Sequence, residues 1–150
     1  MNGKVIIFLV LMSLIGSCTV KENLCEAVSC AAPTAYLKLK FISTANSSDL
    51  FSDSSVYSLN DLKIFSTETG NVPFKVDSTS TDHIKYISIF SNGNETITVK
   101  LGSGKPDIIK IESRIIKKDC CANLEITQLL LNDDVICKNC DGYETLVIKK

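Results

Sequence analysis

Tryptophan is absent from this 150-residue chain, histidine occurs once and proline three times. Without tryptophan there can be no sandwich core built on that residue between two bonded cysteines. The single histidine, His83, follows Asp82 at a loop-to-strand junction and reads as a surface residue. General acid–base or triad chemistry needs a base that is held by an orienting partner and faces a nucleophile. No serine lies in a Gly-x-Ser-x-Gly turn, since Gly102-Ser103-Gly104 is shorter and joins two strands. Neither a paired-carboxylate motif nor a glycine-rich phosphate loop is present. Positive charge is not concentrated either: 16 basic residues face 17 acidic ones. The lysines are scattered singly, apart from Lys117-Lys118 and Lys149-Lys150. A nucleic-acid partner needs a dense basic surface, so that class is excluded. No internal repeat is evident. The longest apolar stretch covers residues 5–15, about half of the roughly 20 residues that a membrane-spanning helix requires.

That short stretch has another use. Lys4 precedes it and Gly16-Ser17-Cys18 follows it, which is the layout of a cleavable export signal. Ile15-Gly16-Ser17-Cys18 resembles the lipobox of bacterial lipoproteins. The resemblance implies that residues 1–17 are removed, that the Cys18 thiol carries a diacylglycerol and that the new amino group is acylated. One acyl chain holds a protein only marginally, whereas several hold it permanently. The alternative is a plain secretory signal that leaves Cys18 free. Removal of residues 1–17 leaves 133 residues with 15 basic and 17 acidic side chains, enough for one domain. We expect a lipidated tether over 18–34 and a folded domain over 35–150.

Seven cysteines occur, and setting Cys18 aside leaves an even set. An exported chain meets oxidising conditions, so these six read as disulfides. Cys137 and Cys140 bracket two turn-type residues. The ends of such a turn lie within about 7 Å, close enough for a disulfide. Cys25 and Cys30 are then expected to pair with Cys120 and Cys121, in an order that the sequence leaves open.

Residues 36–42 alternate, with Leu37, Leu39 and Phe41 on one face and Lys38 and Lys40 on the other, which predicts a half-buried strand. Residues 43–58 are polar around a hydrophobic plug, Leu50-Phe51. Further strands are expected over 62–66, 72–76, 84–90, 96–101, 107–117 and 143–148. Pro73 lacks a donor and pushes its strand toward a sheet edge. Residues 124–131 suit a short helix as well as a strand, and strand is favoured by the turn at 132–134 and the β-branched residues after it. Asn92-Gly93 between alternating runs marks a hairpin. About eight short strands predict an all-β antiparallel β-sandwich, immunoglobulin-like in architecture only.

Other chemistry would need groups that the sequence does not supply. Zinc would need a second close cysteine pair beside Cys137-x-x-Cys140. Redox chemistry at that pair would need a helix N-terminus to lower a thiol pKa. Residues 77–82 offer oxygens without the spacing of a calcium loop. Tyr36, Tyr57, Tyr86 and Tyr143 could form a sugar platform, but their positions suit packing between strands better. No metal or cofactor is expected.

Taken together, the lipobox cysteine, Cys25-Glu-Ala-Val-Ser-Cys30, Pro33, the strand at 37–41, Asp49-Leu-Phe51 and Lys118-Asp-Cys120-Cys121 resemble small flavobacterial (Bacteroidota) lipoproteins. The resemblance implies compartment and fold and carries over no activity. The expectation is a non-catalytic binding or structural module of the cell envelope, held to a membrane through Cys18, with an envelope protein or glycan as partner. The alternatives are a redox or metal-binding protein using Cys137 and Cys140, or a small inhibitor of immunity type.

Overall fold

A computed structural model describes residues 25, 28–52, 57–78, 85–140 and 145–150. They form ten strands: β1 (Ala35–Ile42), β2 (Leu62–Ser66), β3 (Gly70–Asn71), β4 (Phe74–Ser78), β5 (Lys85–Ser91), β6 (Glu95–Leu101), β7 (Asp107–Lys118), β8 (Cys121–Leu131), β9 (Asp134–Lys138) and β10 (Thr145–Lys149). Two sheets result, ordered β10-β1-β5-β4 and β3-β2-β6-β7-β8-β9. Alternation decides what lies between them. Leu37, Leu39, Phe41, Ile87, Ile89, Leu146 and Ile148 of the small sheet are buried with Ile64, Ile97, Val99, Leu101, Ile109, Ile111 and Leu129 of the large one. The plug in the loop after β1 works as the sequence suggests: Phe51 is buried, edge-on to Phe41 with ring centroids 5.4 Å apart.

Two features depart from the expected plan. First, residues 72–76 are not one strand. The Val72 N–H still donates to Ile64 of the large sheet at 2.9 Å, and β4 begins at Phe74 in the small sheet. Pro73, which has no N–H to donate, lies at the crossing, and β4 is an edge strand. Second, the sandwich is not wholly antiparallel. β10 runs parallel to β1, with Leu39 opposite Leu146 and Phe41 opposite Ile148. Residues 124–131 are strand, as favoured, although β8 starts as early as Cys121.

The β7–β8 hairpin is longer than the sandwich. β6 accompanies β7 only as far as Ile111, and beyond it β7 pairs with β8 alone. A bulge opens between Glu112 and Ser113, and there the Ser113 N–H donates to Asn94 Oδ1 at 2.6 Å. From Ser113 to Lys118 the two strands project as an arm about 17 Å long, at roughly 3.4 Å per residue. Its end is held by Cys25–Cys120 and Cys30–Cys121, with Cα separations of 5.1 and 5.5 Å. The expected tether is therefore fastened to the arm from Cys25 onward. Cys137–Cys140 closes the turn after β9.

Candidate functional site

The outer face of the small sheet is assembled by register. Tyr36 lies opposite Phe90, Lys38 opposite Ser88, and Ser88 in turn opposite Lys75. Asp77 faces Tyr86, and Lys40 and Ile42 of β1 face Val147 and Lys149 of β10. Strand alternation sends all of these away from the core. Tyr36 and Phe90 remain 42% and 45% exposed, with ring centroids 5.4 Å apart. A cross-strand pair of this kind stabilises the sheet while leaving ring surface in solvent. The Lys38 ammonium lies 5.8 Å from the Tyr36 ring centre and 6.0 Å from that of Tyr86, at the limit of cation–π attraction.

Beneath these larger side chains sits Ser88, only 1% exposed. Its hydroxyl donates to Asp77 Oδ2, and Tyr36 donates to the same oxygen at 3.1 Å. The two hydroxyls are 2.5 Å apart. The Ser88 hydrogen bond, then that of Tyr36, and then the charges of Lys38 and Lys75 hold the Asp77 carboxyl below its ordinary value of 3.8. Such a carboxylate stays ionised and is a poor proton acceptor. Ser88 Oγ is covered and already engaged, so it braces the face and is not placed to attack a substrate. What the arrangement can do is bind. Exposed rings can stack, and Lys38, Lys40, Lys75 and Lys149 can meet negative charge. Asp77, the carboxylate on this face, is already committed to neighbours.

Next to this face, a cleft of about 370 Å³ separates the arm from the start of β1, with Tyr36, Ile116, Leu124, Ile126 and Cys140 among its walls. Tyr36 thus belongs to both surfaces.

The residues singled out in the sequence are distributed as follows. Cys25, Cys30, Cys120, Cys121, Cys137 and Cys140 are all in disulfides, so none offers a thiolate to a metal. Among the described residues, no three His, Cys, Asp or Glu side chains gather in a metal-binding group. Ser103 lies in the exposed turn between β6 and β7. Tyr57 packs against the core and over Gly102, where a Cβ would come within 3.2 Å of its ring. Cys18, His83 and Tyr143 lie outside the described residues. Ser88 and Phe90 carried no local signal, because their partners Asp77, Lys38 and Tyr36 come from other strands. Comparison with family models, curated protein sequences and solved structures returns no match.

Proposed function

We propose that this protein is a bacterial cell-envelope lipoprotein, acylated on Cys18, that serves as a non-catalytic binding module. One observation carries the reading: each of the six cysteines after Cys18 is bonded to another, which suits a compartment outside the reducing cytosol. Cys18 is then the one sulfur left over, and it stands where the lipobox pattern places the acylated thiol. The resemblance to small flavobacterial lipoproteins points the same way. Binding falls to the outer face of the small sheet. Its paired, exposed Tyr36 and Phe90 rings and its four lysines suit an acidic envelope glycan, whose ring C–H groups can stack while its acidic groups pair.

Mass spectrometry of the protein from its native envelope tests the anchor. The expected species begins at Cys18 and carries acyl chains, and an unacylated chain beginning at Met1 overturns it. Retention on an immobilised acidic polysaccharide tests the face. Tyr36→Ala with Lys38→Ala should abolish retention while the three disulfides remain intact. Equal retention of the variant and the native protein rules the face out.

A further inference from the structure

We infer that the β7–β8 arm is a foot resting on the anionic bilayer surface that carries the acyl chains; this rests on acylation of Cys18. Three independent observations meet at one end of the molecule. The first is chain length. Only residues 19–24 separate Cys18 from Cys25, and Cys25 is bonded to Cys120 at the tip of the arm. At no more than about 3.6 Å per residue, the Cys18 Cα lies within about 25 Å of that of Cys25. The second is exposure. Ile115 is 67% exposed, more than any other large apolar side chain among the described residues. It belongs to the row that continues the core face past Ile111, opposite half-buried Leu124. Val28, in the segment clamped to the tip, is also exposed.

The third observation is charge. Lys117 and Lys118 end β7 at the tip and are exposed. Asp119 offsets one of them, while Arg114 and Glu125 pair across the arm at 2.8 Å. An apolar side chain flanked by lysines suits the boundary between headgroups and acyl chains, where basic residues are drawn to anionic lipid. The two disulfides make the contact directional, because the anchored segment cannot leave the tip while they persist. The opposite end of the molecule, at the β8–β9 turn, is then held away from the membrane.

The absence of tryptophan supplies the probe. The lipidated protein beginning at Cys18 is reconstituted in phosphatidylethanolamine–phosphatidylglycerol vesicles containing phospholipid brominated near the headgroup end of its chains. Ile115→Trp reports on the arm and Val135→Trp, on exposed β9, reports on the far end. Fluorescence of the Ile115→Trp protein should shift to shorter wavelength and lose most of its intensity, while that of Val135→Trp is unchanged. Adding Lys117→Glu and Lys118→Glu should restore much of the lost intensity. Flotation with the vesicles but no quenching at position 115, or equal quenching at both positions, overturns the foot and leaves the anchor standing. Failure to float overturns the anchor itself, and the foot with it.

Discussion

Two carboxylates illustrate how differently neighbours hold a charge in this fold. Asp107 begins β7 largely buried. Its Oδ1 accepts a hydrogen bond from Asn132 at 2.9 Å, and its Oδ2 faces the Lys150 ammonium at 2.5 Å. Lys150→Ala leaves that carboxylate without its counter-charge in a poorly hydrated place. The expected cost is about 3 kcal/mol, read as a lower urea midpoint, at the low end for breaking a buried pair because some exposure remains. Asp77 lies on the surface, and local hydrogen bonds hold it. Its folded pKa is below 3.8, so its contribution to stability is complete above that value and is lost as pH falls through the folded pKa. Ser88→Ala removes the largest cause. NMR titration of the Asp77 carboxyl should then show its pKa rising toward the ordinary value, with a weaker loss of stability on acidification. No sequence pattern announces this cluster. Asp77, Ser88 and Tyr36 are 11 and 41 residues or more apart and meet only through strand register.

Among the elements, the arm shows best why some segments were legible and others were not. Clean alternation identifies β1, β6 and the first half of β7 without ambiguity. In β8 the inward residues are Leu124, Ile126, Leu129 and Leu131, and the extra step between Ile126 and Leu129 comes from the bulge that sets Ser113 opposite Ile126 and Glu112 opposite Gln128. That step imitates helical spacing, so a packed strand looks amphipathic in the helical sense. The disulfides at the tip follow a different logic. They close loops of 95 and 91 residues, but once one exists the other closes only a few residues. In the chain-entropy model, loss of either pair alone costs about 2 kcal/mol and loss of both costs about 7 kcal/mol. Urea unfolding of Cys25→Ser/Cys120→Ser, of Cys30→Ser/Cys121→Ser and of the fourfold variant checks this. Equal increments at each step would show that the two staples act independently.

For the molecule as a whole, the parallel pairing of β1 with β10 matters most, and local pattern could not reveal it. Alternation tells which residues face inward, but it does not tell which strand comes alongside or in which direction. β10 supplies buried Leu146 and Ile148 and covers one edge of β1, while the backbone of Lys150 continues the ladder by donating to Ile42 at 3.0 Å. Deleting residues 145–150 should abolish cooperative unfolding by circular dichroism, whereas trimming Lys149 and Lys150 alone should lower the midpoint and preserve the transition.

The same pairing sets a timetable for folding. A polypeptide made N-terminus first delivers β1 before every other described strand and β10 after them, so the small sheet stays incomplete until β10 emerges. Its first strand waits for that neighbour, and the sandwich closes late.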